Sequence, residues 1–146
     1  MKNKINKNCK INMNAVYLIQ ERWGVMFEWM PGNAYSSIVT LYPNNFTLNN
    51  TAASYFSDIR WCCIGIDKKT LKVAIRPVTK REIDLNIIPL DQLHKVSVGK
   101  GYARISSKTV LEQISSLIQK DCNGIKFSAN FDDKEKMLVI DLNQSS

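Results

Sequence analysis

The chain repeats itself, and the repeat limits its possible folds more than any single motif does. Residues 39 to 56, VTLYPNNFTLNNTAASYF, align without a gap on residues 96 to 113, VSVGKGYARISSKTVLEQ. Val39 and Leu41 fall on Val96 and Val98, Pro43-Asn44-Asn45 on Lys100-Gly101-Tyr102, and Leu48 on Ile105. Each copy reads as a short alternating strand, a turn, a second strand and polar residues that open a helix. Further on, RWCCIGIDKKTLKVAIRP (60 to 77) matches IKFSANFDDKEKMLVIDL (125 to 142), the longer second helix and its exit loop absorbing the extra length. Cys62, Ile64 and Ile66 parallel Phe127, Ala129 and Phe131, and Val73 and Ile75 parallel Leu138 and Ile140. Asp67-Lys68-Lys69-Thr70 and Asp132-Asp133-Lys134-Glu135 mark the hairpin turns between them. The order β, β, α, β, β therefore occurs twice.

The second helix carries one continuous apolar stripe, Val110, Leu111, Ile114, Leu117 and Ile118, with Ser106 or Ser107 as N-cap. The first, about residues 50 to 57, is shorter, sends Ala53, Tyr55 and Phe56 toward the core and starts from Asn49 or Asn50. The repeat also reinterprets the loop VGKGYARISSK, which looks like a phosphate cradle when read alone. YPNNFTL occupies the same slot without glycine, and the P-loop spacing is absent. Gly99 and Gly101 then read as turn residues.

A chain of 146 residues, 45% hydrophobic, has enough apolar material for one compact domain or two small intertwined halves. No apolar run approaches the length of a membrane span, and the N-terminal MKNKINKNCKINMNA lacks the apolar core of a signal peptide, so a cytoplasmic protein without a membrane partner is expected. Cys9, Cys62, Cys63 and Cys122 form no C-x-x-C pair, and the single histidine, His94, is far from them in sequence. That spacing predicts buried thiols, with neither a zinc site nor a disulfide framework. No cofactor is expected. No H-E-x-x-H, G-x-S-x-G or cysteine-nucleophile pattern is present, and the paired Asp132 and Asp133 sit in a turn, so the reading is non-enzymatic.

The net charge is +7, and 14 of the 20 basic residues lie in three acid-free stretches. These are Lys2, Lys4, Lys7 and Lys10; Lys68, Lys69, Lys72, Arg76, Lys80 and Arg81; and Lys95, Lys100, Arg104 and Lys108. Clustered positive charge suits nucleic acid or another polyanion. Lysines that protect strand edges in a Lys-rich, Asn-rich and Ile-rich chain explain it equally well.

Two tandem units of this order resemble the swapped-hairpin β-barrels of the AbrB and SpoVT transition-state regulators and of MraZ, over residues 38 to 77 and 95 to 142. The resemblance implies a mainly β fold with short helices (α+β), in which two ββαββ units interlock as a pseudo-dimeric barrel. It also implies a bacterial transcription regulator with a basic DNA-binding face. Gly101 matches the family glycine, Tyr102 stands at the family arginine and Arg104 lies two residues on; in the first copy Asn44 and Asn45 fill those places, and Ser106 and Asn49 replace the family proline. The implied DNA-binding set is Lys100, Tyr102, Arg104 and Lys108, with Asn44 and Asn45 from the first copy.

Outside the repeats, residues 1 to 14 read as a mobile basic tail. Residues 15 to 37 read as a strand extension in which Trp23, Val25, Phe27 and Trp29 share a face that covers the barrel. If exposed, the Trp23, Phe27 and Trp29 face would bind a protein partner or a second copy. In the connector, residues 78 to 94, Ile83, Leu85, Ile87, Ile88, Leu90 and Leu93 should dock on the barrel, while Pro77 and Pro89 prevent one continuous helix. Two functions stay open: a DNA-binding regulator, and a non-catalytic interaction or assembly module that keeps the barrel without binding DNA.

Overall fold

Alternation decides the strands. In β1 (Ser37–Leu41) and β2 (Asn45–Leu48), Val39, Leu41, Phe46 and Leu48 are fully buried while their neighbours face outward. The same period runs through β5 (His94–Gly99) and β6 (Tyr102–Ser106), where Val96, Ala103 and Ile105 turn inward. β3 (Trp61–Asp67), β4 (Lys72–Val78), β7 (Ile125–Asp132) and β8 (Met137–Ser145) add Cys62, Val73, Ile75, Phe127, Leu138 and Ile140 to the interior. These residues come from a computed structural model that describes residues 26–30, 32 and 36–145.

The eight strands close into one antiparallel barrel in the order β1, β2, β6, β5, β3, β4, β8, β7, with β7 returning to β1. Eight strands enclose a space that side chains fill, so the inward residues form the core. The aligned copies keep equivalent registers: Val39 faces Leu48 as Val96 faces Ile105, and Ile66 faces Val73 as Phe131 faces Leu138. The expected turns are present in both. Asp67 Oδ1 accepts from the Lys69 and Thr70 N–H groups (3.0 and 3.2 Å), and Asp132 Oδ1 from those of Lys134 and Glu135 (2.9 and 3.1 Å). Leu71 and Lys136 then take the same left-handed φ of 56°.

Four seams join β-hairpins of different copies, β2 with β6, β4 with β8, β1 with β7 and β3 with β5, and the last two, which the repeat relates, differ. β1 and β7 oppose five positions, from Ser37 with Ala129 to Leu41 with Ile125. β3 and β5 oppose only Trp61 with Lys95 and Cys62 with His94. Because β3 begins at Trp61, the outer part of β5 runs past its end. Val98 is therefore 50% exposed where its counterpart Leu41 is fully buried.

Helix α1 (Asn50–Ala53) continues as a 3-10 turn (Ser54–Phe56) and packs on β1, β2 and β6. Its N-cap is Asn49, one of the two expected residues. The Asn49 Oδ1 accepts from Ala52 N–H (3.0 Å) and Ile38 N–H (3.1 Å), and its amide donates to the Ser36 carbonyl (2.8 Å), tying the start of β1 to the helix. Ala53 and Phe56 are buried as expected, but Tyr55 stays outside at 39% exposure and stacks on Phe131. The shift from α to 3-10 geometry rotates it off the stripe. Helix α3 (Lys108–Ile118) buries Leu111 and Ile114; Ser107 holds its N-cap position without a side-chain cap bond.

The connector departs from expectation. It forms helix α2 (Lys80–Asp84) and a 3-10 turn (Leu90–Gln92), two short pieces as the prolines require. α2 opens with a Thr79–Glu82 capping box, and Arg76 Nη1 donates to Glu82 Oε2 at 3.0 Å. Leu85, Ile87 and Leu90 do not dock: they are 58%, 60% and 76% exposed, and only Ile83, Ile88 and Leu93 are half-buried. Pieces this short cannot turn every apolar residue of the segment to one side. Pro77 lies in β4 beyond Ile75, the last β4 residue opposed to β8, so its missing N–H costs no bond on that side.

The chain divides into two units, Met1–Asn33 and Ala34–Ser146, and both copies of the repeat lie in the second. In the first, residues 26–30 form no strand, and Phe27 and Trp29 are 58% and 65% exposed with rings 5.9 Å apart. The tail at 1 to 14, the rest of the extension as far as residue 25, and with them Cys9, Trp23 and Val25, lie outside the described residues. Among the described residues no helix is long and apolar enough to cross a membrane.

Candidate nucleic-acid interface

Residues 29 to 57 and 92 to 111 contain no Asp or Glu. These stretches are far apart in sequence and form β1, β2, β5 and β6, which the barrel order places side by side. Four adjacent strands therefore present an outer face without a carboxylate. Across it, Lys126 of β7 faces Thr40, Thr40 faces Thr47, Thr47 faces Arg104, and Arg104 faces Ser97. At about 4.8 Å per strand this row spans roughly 19 Å.

Tyr102 and Arg104 occupy outward positions on β6, and the Arg104 guanidinium carbon lies 5.5 Å from the Tyr102 ring centroid, in reach of a cation–π interaction. Among the described residues Arg104 makes no ion pair; the one salt bridge there is Arg76 with Glu82. The two loop glycines have different reasons. Gly101 has φ 77°, in the left-handed region. Gly99 sits opposite Tyr102, whose ring lies so close that a Cβ on Gly99 would meet ring carbons at 2.5 Å. The glycine lets the ring lie flat across its backbone.

The other sequence-derived residues form a line instead of a cluster. Lys100 is in the β5–β6 turn and Lys108 opens α3, at opposite ends of a strand about 15 Å long. Asn45 opens β2 opposite Ser106, with its Oδ1 accepting from the Thr47 hydroxyl (2.9 Å). The Asn44 carbonyl accepts from Ser107 N–H (3.1 Å). Asn44 and Lys108 line a cleft of about 360 Å³ that also holds Glu112 and Asp121, so they border a surface of mixed charge. Lys126 and Lys95, which also face outward, were not legible as site residues, since the β1–β7 and β3–β5 pairings have no local signal.

The first copy lacks the matching positive charge for a geometric reason. Thr47 and Arg104 are aligned positions of the repeat, yet they face each other directly across β2 and β6. An arginine at both would oppose like charges at about 5 Å, at a cost of about 0.2–1 kcal/mol.

The one histidine does meet a cysteine: His94 faces Cys62 across the short seam. Burial, and then the charge of Cys63, push the Cys62 thiol up to about 12, while burial holds His94 below its usual value. Both stay neutral near pH 7, the opposite of an activated thiolate and imidazolium pair. Burial also raises Cys63 and Cys122. Among the described residues no three His, Cys, Asp or Glu side chains are grouped to hold a metal ion.

No protein-family model, curated protein or solved structure matches the chain.

Proposed function

We propose that the chain is a non-enzymatic DNA-binding protein, a cytoplasmic regulator of the AbrB, SpoVT and MraZ kind, whose two ββαββ units interlock as a swapped-hairpin barrel. The pairings of β1 with β7 and of β3 with β5 support the interlocking, because each joins a hairpin of one copy to a hairpin of the other. The matched registers support two units related by an approximate two-fold axis passing between Thr47 and Arg104.

The observation that carries the functional reading is the acid-free outer face of β1, β2, β6 and β5. Lys95, Lys100, Arg104 and Lys126 supply phosphate contacts; Arg104, stiffened by Tyr102, is the residue for reading a base edge. Asn45 and Asn44 extend the line of polar groups toward Lys108. Replacing Lys100 and Arg104 together by alanine is expected to weaken binding to a random-sequence duplex at least tenfold, with thermal unfolding within a few degrees of the parent. Unchanged affinity in that variant removes the face as the binding surface.

The exposed Leu85, Ile87 and Leu90 favour a second reading, an interaction module that meets a protein partner or a second copy through the connector. The exposed Phe27 and Trp29 would serve the same role. That reading requires self-association or partner binding that survives at high salt, with no salt-sensitive binding to DNA.

A further inference from the structure

One cleft in the barrel unit, about 520 Å³, is lined by Ser36, Ser37, Tyr55, Ser128, Ala129, Asn130 and Phe131, with no charged residue. The rings of Tyr55 and Phe131 stack inside it with centroids 4.1 Å apart and planes 1° from parallel. Tyr55 remains 39% exposed. A parallel aromatic pair with an open side chain offers a flat face, and the serine hydroxyls and the Asn130 amide surround it with donors and acceptors.

The main chain adds to this. Among the described residues the ladder between β1 and β7 ends at Ser37 with Ala129, and there Asn130 and Phe131 are opposed by Val139 and Leu138 of β8 alone. Along β7, Lys126, Ser128 and Asn130 share the outward register and Phe131 the inward one, so the cleft spans both sides of the β7 end, and its Asn130 side continues along β7 to Lys126, where the row through Thr40 and Thr47 to Arg104 begins. Lys126 and Asn130 are about 13 Å apart along the strand.

We infer that this cleft is a nucleobase subsite for single-stranded nucleic acid, in which an unpaired base stacks on Tyr55, its edge meets Ser36 and Asn130, and the adjoining phosphates lie over Lys126. This rests on the polyanion-binding reading of the acid-free face and extends it from duplex to single strand. A paired base is already stacked within its duplex and presents no free ring face; an unpaired base does, and base–aromatic stacking combined with a basic track is the general solution for such strands.

The test compares the full chain with Tyr55→Leu, which keeps an apolar side chain against Phe131, and with Lys126→Ala. Each is titrated with a labelled mixed-sequence single strand, a labelled duplex, and adenosine monophosphate followed by aromatic NMR signals. Tyr55→Leu is expected to bind the single strand about 5- to 100-fold more weakly and the duplex unchanged. Lys126→Ala is expected to lower the slope of log affinity against log salt for the single strand by about 0.7. Equal single-strand affinity in Tyr55→Leu overturns the subsite while leaving the duplex reading intact. Single-strand binding that depends on Tyr55, with no duplex binding, supports the subsite and sinks the duplex reading. If adenosine monophosphate shifts the aromatic signals and binds as tightly as the strand does, the cleft is a small-molecule site and the single-strand assignment fails. No binding to any of the three overturns both.

Discussion

One half of the barrel neutralises its charges and the other leaves them open. On β3, β4, β7 and β8, Asp67 and Asp132 close turns beside Lys68, Lys69 and Lys134, Asp141 faces Lys72, and Arg76 pairs with Glu82 from α2. On β1, β2, β6 and β5 Arg104 faces Thr47 and Ser97 beside the Tyr102 ring, Lys95 faces Trp61, and among the described residues neither they nor Lys100 make an ion pair. Each half holds one hairpin from each copy of the repeat, and both send apolar residues into the same interior. The charge difference lies at outward positions, which packing does not dictate and which binding can.

Charge reversal is the strongest way to break this comparison. Arg104→Glu with Lys100→Glu is expected to lower duplex affinity by about 100-fold near 50 mM salt and to reduce the salt slope by about 2. Lys68→Glu with Lys134→Glu, on the neutralised half, is expected to change affinity less than about threefold in the same anisotropy titration. Equal losses from both pairs would mean that binding follows net charge and not the acid-free face.

The shared interior gives the next effect. Phe46→Ala, at a fully buried β2 position, is expected to cost about 3–5 kcal/mol in denaturant unfolding. Asn49→Ala, which removes the helix cap and both ties to the start of β1, is expected to cost about 1–2 kcal/mol. A substitution at Ser106, the aligned and exposed residue of the second copy, should fall below that.

Glu82 tests the neutralised half by pH. The Thr79 backbone bond, and then Arg76, hold its carboxyl below the usual carboxylate range. A depressed folded value means that the stabilisation is fully present above the unfolded value, about 4.3, and is lost as pH falls through the folded value. Glu82→Gln should therefore lower stability by roughly 1 kcal/mol at neutral pH, allowing for partial exposure, and the difference should vanish in acid. The smallest effect belongs to Gly99→Ala. Its Cβ displaces the Tyr102 ring, an adjustable side chain, so stability should change by less than about 1 kcal/mol while the ring leaves its place beside Arg104.

Much of the local fold was legible because period-2 alternation and turn chemistry are local. The strands of both copies, the Asp67 and Asp132 turns, the Asn49 cap and the Leu111 and Ile114 stripe all follow from neighbours in sequence. The closed strand order does not, since β1 with β7 and β3 with β5 join segments that are not neighbours in sequence. That is also why Lys126 was not read as part of the basic face while Tyr102 and Arg104, two apart on one strand, were. The connector misled for a different reason. Leu85, Ile87 and Leu90 are as apolar as core residues, and composition alone does not say on which side of a short turn they fall.

The most direct measurement is fluorescence anisotropy of the parent chain with a random-sequence duplex at about 50 and 200 mM salt. With Lys95, Lys100, Arg104 and Lys126 on phosphates, affinity should fall about 100-fold across that range. Absence of binding at the lower salt would contradict the account and leave the exposed connector as the surface to pursue.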